Sequence, residues 1–449
     1  MNVLVIGAGL SGLAAAWRLR QAGHRVALIE QKDQADGNAP FRSVETLHSS
    51  DDHVIGWMRE LGLSESLLPL RPVQIAQVRH GKTAAIDPQH LLGISAIPGV
   101  RKLHAARLLR WSRLMARYLP LLDPAAPERA AALDYRSVSD FAGLYFGESV
   151  LQQWVAPEVE DFYSGRAAEL SRVTALLLWR TRMTGRQEIA YSGLPRLGLA
   201  PLFRAANRAI STRHHGVALR LDGGGGQEGY EITCAGSAVS DDVLHGDAVV
   251  VATSPGEAAR LGASVLEPAE RDFLTGARER PTLTLTVELD RAPSGMPERV
   301  RIPHGEGFAA QSIVFEPGSS GSRMASGAGL ATVRAREDFS RSAAQMSDDV
   351  AVKSLLADLK LLYPAFVGSV ASAELHRSEA GIPAFEVGAY RGLERFRRVQ
   401  EDRRSLGRRL YFAGDYLISP SVEGRVVSGF RAAADLIADV SGANPGSRD

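Results

Sequence analysis

The chain opens on a four-residue apolar run, Val3-Leu4-Val5-Ile6, and turns glycine-rich at once through Gly7-Ala8-Gly9-Leu10-Ser11-Gly12. The run predicts a buried strand; residues 10–22 follow at helical spacing and stop at Gly23, and 25–30 read as a second strand. Helical spacing resumes over 52–63 and closes at Gly62. A mostly helical, Arg-rich block covers 88–122. In it Leu103, Leu108, Trp111, Leu114, Met115 and Tyr118 share one predicted face, and Arg107, Arg110, Arg113 and Arg117 space the other. Residues 138–178 continue helical, with Trp154, Phe162 and Tyr163 as predicted core. Ser192-Gly193-Leu194-Pro195 marks a turn before a helix over 201–210. Residues 217–221 and 230–233 read as paired strands around the 223–226 glycine turn. The run 248–253, Ala-Val-Val-Val-Ala-Thr, predicts a strand buried on both faces. Residues 282–288 and 299–316 alternate as antiparallel strands do, 319–329 is a Gly/Ser-rich loop, and 348–362 is an amphipathic helix. Near the end a short strand runs into Gly414-Asp415. A loop leads from there to Ser421-Val422-Glu423-Gly424 and a helix of about 425–440.

Strand, glycine turn, helix and strand in this order form the dinucleotide fingerprint. Gly7 permits the tight turn, Gly9 lets backbone approach a pyrophosphate, and Gly12 lets the helix sit against the sheet. The helix start at Leu10 and Ser11 offers unpaired N–H groups and a partial positive charge to phosphates. Glu30 ends the second strand, where a carboxylate accepts hydrogen bonds from both ribose hydroxyls and repels a 2′-phosphate, which argues against NADP. The 410–440 block repeats strand, turn and helix, and a second positive helix end beside the first suits a long ligand with two anionic poles. Asp415 is a candidate for holding a sugar-chain hydroxyl or, alternatively, a loop aspartate capping its own turn.

A chain of 449 residues exceeds one ordinary core, so two or three lobes are expected, and the 45% hydrophobic, 23% charged composition describes a globular protein. The formal net charge of +1 points to no nucleic-acid partner. One cysteine, Cys234, excludes an internal disulfide and a cysteine-rich metal site and fits a reducing, cytoplasmic compartment. The apolar first 16 residues lack a basic leader and carry the fingerprint, so they do not read as a signal peptide; no stretch has the uninterrupted apolar length of a membrane span. Residues 101–118 admit three readings: peripheral contact with a membrane surface, a clamp for an acidic substrate, or a helix with a solvated arginine face.

With these motifs in place the chain resembles the flavin amine oxidase superfamily, especially its protoporphyrinogen-oxidase-like branch. The opening through Gly12-Leu13-Ala14-Ala15, the segment 246–261 and the segment 410–434 carry the resemblance. Softer matches lie at Phe162-Tyr163-Ser164-Gly165 with Leu170-Ser171, and at 376–390 around Ile382-Pro383. The resemblance implies an α/β fold: a Rossmann-like FAD-binding domain built from 1–78, 191–264 and 386–449, a helical subdomain over 79–190, and a mixed-sheet substrate domain over 265–385. It implies FAD, with Gly7, Gly9, Leu10, Ser11 and Gly12 at the pyrophosphate and Glu30 at the adenosine ribose. Gln31, Asn38 and Thr253 are further cofactor candidates, Val217 would bond adenine through its backbone, and Gly414 and Asp415 would hold the ribityl side. The helix start at Val422 would approach the flavin pyrimidine edge, where it stabilises charge that arrives with hydride at N5.

Two departures stand out. Asp36-Gly37-Asn38 replaces the family's Gly-Gly-Arg, with His48 following almost at once, and Arg425 stands where the family has alanine. No lysine lies between Lys102 and Lys353, so the lysine that many amine-oxidising members place near N5 is missing. That leans towards the porphyrinogen or desaturase style. The expected reaction is hydride transfer from a small organic substrate to flavin with oxygen as re-oxidant. A flavin-dependent non-redox isomerase or mutase, a flavin-less binding protein and an NAD-using enzyme are the alternatives. Tyr390 is the candidate substrate-facing aromatic or, alternatively, an ordinary packed tyrosine; His48 is the candidate for proton handling or, alternatively, an exposed loop residue.

Overall fold

The structure, a computed structural model, describes residues 1–31, 47–67, 71–88, 91–182, 191–193, 199–210, 212–223, 229–235, 241–291, 295–316, 328–366 and 368–442. Asn38, the Asp36–Asn38 replacement and most of the Gly/Ser-rich 319–329 segment lie outside them.

The opening strand Asn2–Ile6 sits in the middle of a five-stranded parallel sheet. Arg25–Glu30 and then Thr212–His215 lie on one side, Ala248–Val251 and then Leu410–Phe412 on the other. Both faces are covered, which is why these strands read as continuous apolar runs. Val3 and Val5 pack into one core with the helix Leu10–Gln21, while Leu4 and Ile6 point into a second core with Leu261, Phe396 and Leu417. The closing helix Val422–Gly442 lies along Leu10–Gln21; a Cβ on Gly429 would meet the Ser11 carbonyl oxygen at 2.2 Å. The two ends of the chain therefore form one layer over one sheet. Both of their turns open at its carboxyl edge, where parallel α/β sheets bind ligands.

A seven-stranded mixed sheet forms the second body, in the order Val370–Pro383, Glu279–Leu289, Gly329–Ala335, Ala310–Glu316, Arg299–Arg301, Ile75–Arg79, Lys82–Ile86. The helix Asp348–Leu362 covers it through Leu355, Leu359 and Leu362. The hairpin 75–86 corrects the expected partition, which cut the chain at 78 and gave its two strands to the cofactor and helical parts. Ile75–Gln77 pairs in parallel with Arg299–Arg301 and extends the substrate sheet instead.

The helical block is built on Lys102–Arg107, Trp111–Tyr118, Val138–Tyr145, Ala156–Tyr163 and Arg172–Arg182 around an aromatic core. In that core Trp154 stacks on Trp179 at 5.3 Å and Trp111 meets Trp179 at 4.1 Å. Leu108, Trp111, Leu114, Met115 and Tyr118 are buried as the spacing predicts, but Leu103 is 74% exposed. A short 3-10 turn over Leu108–Arg110 breaks the helix, and the phase of the apolar stripe does not carry across it. Among the described residues no helix is long and apolar enough to cross a membrane.

Candidate functional site

The site is assembled from the turns at the carboxyl edge of the parallel sheet. Gly7 has φ +102, and a Cβ there would lie 2.6 Å from the carbonyl oxygen of Ala252. A Cβ on Gly12 would lie 1.9 Å from the Gly7 carbonyl oxygen, so the helix abuts its own turn. Gly9 differs from both: it caps the helix Leu10–Gln21, and a Cβ on it would meet nothing within 4 Å. No side chain caps this helix start and its first turn carries no acidic residue. Leu10 and Ser11 thus stand at a positive helix end over open space, a cradle suited to a pyrophosphate.

Glu30 ends its strand, and its Oε2 accepts a hydrogen bond from the Ala8 N–H at 2.7 Å, which ties the glycine turn to the second strand. Its carbonyl accepts from Gly216 N–H at 3.1 Å, placing Val217 beside it, and Gln31 follows exposed at the strand exit. Thr253 follows the neighbouring strand Ala248–Val251, one residue beyond the Ala252 carbonyl that faces Gly7.

At the other pole the Gly414 N–H donates to Ser428 Oγ at 2.9 Å, and Asp415 Oδ2 accepts from Arg425 Nε at 3.0 Å. Arg425 therefore takes up one oxygen of the carboxylate expected at the ribityl chain. Val422 begins the closing helix, where Ser421 Oγ accepts from Gly424 N–H at 2.9 Å. Glu423 turns away and caps the helix Asp52–Glu60: its carboxylate accepts from the N–H groups of His53 at 3.1 Å and Val54 at 2.9 Å. Nothing local to Glu423 in the sequence marks this clamp between two distant helices.

Beside the Val422 helix start lies a cavity of about 430 Å³, walled by Asp51 and Val422 from the cofactor body, Phe162, Tyr163 and Arg182 from the helical block, and Arg299 from the mixed sheet. Burial works against an ionised Asp161 in this wall, but the guanidiniums of Arg299, Arg334 and Arg301 outweigh it and hold its carboxyl well below the usual carboxylate range. Arg299 Nη1 reaches Asp161 Oδ2 at 2.7 Å. Asp51 accepts the His48 N–H at 2.7 Å, and burial, with Glu423 adding to it, raises its carboxyl to about 7.

Both proposed catalytic side chains are placed differently from expectation. His48 is buried rather than exposed, in a short strand Leu47–His48 paired with Tyr191–Gly193. Burial and Arg182 lower it to about 3, so it stands neutral at pH 7, with Nδ1 2.7 Å from Ser50 Oγ. Tyr390 does not face the cavity. It is fully buried at the start of Ala389–Ser405, stacked on Phe385 at 5.3 Å, with its N–H donating to Asp134 Oδ2 at 2.9 Å. The aromatic wall is Tyr163, which interacts with the Tyr390 hydroxyl from the cavity side.

A parallel sheet with a glycine cradle at one pole, a second positive helix end at the other and a cavity beside it suits a long nucleotide with a chamber at its side. The sequence matches the family model described as flavin containing amine oxidoreductase over residues 10–437, and the chain belongs to that family. FAD is accordingly its cofactor. Among curated proteins it is 25% identical over 260 residues to a Mycobacterium tuberculosis protein named as a flavin-containing monoamine oxidase, AofH. That match covers 52% of this chain and 56% of AofH, so the chain spans about half the length of this relative. Two solved structures illustrate the shared fold. One is an Exiguobacterium protein described as a protoporphyrinogen oxidase (TM-score 0.72, 15% identity, 98% of this chain and 99% of that one). The other is a putrescine oxidase bound to putrescine (TM-score 0.73, 16% identity, 98% and 99%).

Proposed function

We propose that this protein is an FAD-dependent oxidase or desaturase acting on a small organic molecule. Bound FAD supplies the acceptor for a hydride leaving a substrate C–H bond; a proton is lost, a C=N or C=C bond forms, and oxygen carries the electron pair away as peroxide. The chain's own residues do the rest. The open face at Gly9 and the uncapped start at Leu10 and Ser11 receive the pyrophosphate, with Glu30 and Val217 at the adenosine end. The positive end of the Val422 helix would stabilise negative charge on the flavin's pyrimidine side. Phe162 and Tyr163 present flat apolar walls to the chamber. Among the described residues no lysine lines the cavity, which supports the porphyrinogen or desaturase style over the lysine-assisted amine oxidases.

The observation that carries this reading is the packing of Gly429 against Ser11, which brings the two nucleotide poles onto one sheet edge next to a chamber. Exposed Leu103 and Leu109, set among Arg110, Arg113 and Arg117, support peripheral contact with an anionic membrane surface, and the single buried thiol of Cys234 suits a cytoplasmic location. The test is calorimetric titration with FAD, followed by oxygen uptake and peroxide formation with amines, porphyrinogens and polyenes. Micromolar or tighter binding and a yellow protein that bleaches anaerobically with one substrate class are expected. A folded protein that stays colourless with added FAD overturns the reading; turnover that needs pre-reduced flavin and yields no peroxide replaces it with an isomerase.

A further inference from the structure

The charges around the chamber are almost all spoken for by one another. Asp161 is held by Arg299 at 2.7 Å, with Arg334 at 3.9 Å. Glu158, just behind, pairs with Arg301 at 3.2 Å. Glu423 is consumed by His53 and the helix start at Val54. Asp123 pairs with Arg129 at 3.3 Å. Asp51 carries a proton for much of the time near neutrality, because burial raises its carboxyl to about 7.

Arg182 is the exception. It ends the helix Arg172–Arg182 and lines the chamber, with its guanidinium carbon 4.9 Å from the centroid of the Phe162 ring. It forms no ion pair with any described residue; burial and the repulsion of Arg299 lower its pKa, and the attraction of Glu158 and Asp51, neither of them at ion-pair distance, does not make up for this. An enclosed guanidinium without a counter-ion is destabilising unless an anion joins it. Its guanidinium lies over the Phe162 ring, and the fork of N–H donors it carries suits a planar, two-oxygen partner.

We propose that Arg182 is a specificity-determining residue that binds the carboxylate of the substrate, so that the enzyme oxidises a carboxylate-bearing molecule whose apolar part lies against Phe162 and Tyr163. The inference rests on the flavin reading above and narrows it from small organic molecules to carboxylates. It also fits the charge pattern: Arg299 and Arg334 share Asp161 across the chamber, whereas Arg182 is ion-paired with no described residue.

The probe is benzoate, against benzamide and benzylamine, binding to FAD-loaded protein, followed by the flavin difference spectrum and by calorimetry. Benzoate should bind about tenfold or more tightly than benzamide. Arg182→Gln should bring that ratio close to one, Arg182→Lys should keep part of it, and FAD affinity should stay within about threefold in both. Equal binding of benzoate and benzamide to the wild type, or an unchanged ratio in Arg182→Gln, overturns the proposal while leaving the flavin reading intact. Parallel loss of FAD affinity in Arg182→Gln also overturns it, by assigning Arg182 to the cofactor. Failure of the wild type to take up FAD removes the flavin reading instead, and calorimetry with benzoate on that same protein still reads the anion site.

Discussion

Arg425 Nε lies 3.0 Å from Asp415 Oδ2, and the two residues stand on opposite sides of the loop that joins the last strand of the sheet to the closing helix. The pair joins the residue expected to hold the ribityl chain to the residue that departs from the family pattern. Its guanidinium offsets a carboxylate that would otherwise repel a cofactor carrying two phosphates. Both side chains are partly exposed, so the pair adds little to stability, of order 0–1 kcal/mol. Its effect should appear in binding. Arg425→Ala is expected to weaken FAD by about three- to tenfold, with a change in melting temperature of only a degree or two, and Arg425→Lys to restore most of the loss. Titration calorimetry and thermal melts on the three proteins decide it; tighter FAD in Arg425→Ala would mean that the arginine crowds the site.

The glycines of the opening turn separate fold from function. Gly9 has open space where a Cβ would go, whereas a Cβ on Gly12 would sit 1.9 Å from the Gly7 carbonyl oxygen and one on Gly429 would sit 2.2 Å from that of Ser11. Gly9→Ala should therefore leave the unliganded melting temperature within about 2 °C of wild type while cutting FAD affinity at least about tenfold. Gly12→Ala and Gly429→Ala must move backbone and should cost about 2–4 kcal/mol of stability before any cofactor is added. Denaturant titrations without FAD, followed by FAD binding, distinguish the two effects. Equal stability loss in all three variants would show that the space at Gly9 is not a ligand's.

The cofactor body was legible because its signals are local. A run such as Val3–Ile6 followed by Gly7, or Ala248–Val251 followed by a Ser254-capped helix, specifies strand, turn and helix within a few residues. What escaped depends on partners far along the chain. The hairpin 75–86 joins the mixed sheet through the parallel pairing of Ile75 with Arg299, and nothing near residue 78 announces it. His48 looks like a loop residue until Tyr191–Gly193 and Arg71–Pro72 close a small sheet with it. Tyr163 and Tyr390 are equally plausible walls by composition; only the packing of Phe385 and Asp134 around Tyr390 puts it behind Tyr163. Arg182 reads as one more basic residue at a helix end, and its lack of an ion-pair partner among the described residues depends on how three converging bodies place their charges.

The ion pair between Arg408 and Glu270 supplies a test of stability remote from the cradle. Both side chains are almost fully buried, and Glu270 also accepts from Gln400 and from the Glu267 N–H at 2.9 Å, closing a capping box on the helix Pro268–Gly276. Removing one charge leaves the other enclosed without compensation, which typically costs about 3–5 kcal/mol. Glu270→Gln should lower stability by that order in urea titration while FAD affinity measured well below the melting temperature stays within about twofold. A loss under about 1 kcal/mol would mean that water reaches Arg408.

His48 and Asp51 make opposite demands on pH from adjacent positions. The Asp51 carboxyl is raised from 3.8 to about 7 by burial and Glu423, so its contribution to stability is complete below 3.8 and is lost as pH rises through 7. The His48 imidazole is lowered from 6.5 to about 3 by burial and Arg182, so its contribution is complete above 6.5 and is lost as pH falls towards 3. Between about pH 4 and 6.5 each group changes stability by up to about 1.4 kcal/mol per pH unit, with opposite signs, and the wild type should be nearly flat across this window. Asp51→Asn removes one arm and should expose a steady loss of stability on acidification; His48→Gln removes the other and should expose a loss on raising the pH to about 7. Glu423→Gln, which takes away the second cause of the Asp51 shift, should move the His48→Gln profile to lower pH. Urea unfolding at half-unit intervals from pH 4 to 8 measures all four proteins. Two single variants with the same slope as the wild type would show that neither group is held in the protonation state its burial dictates.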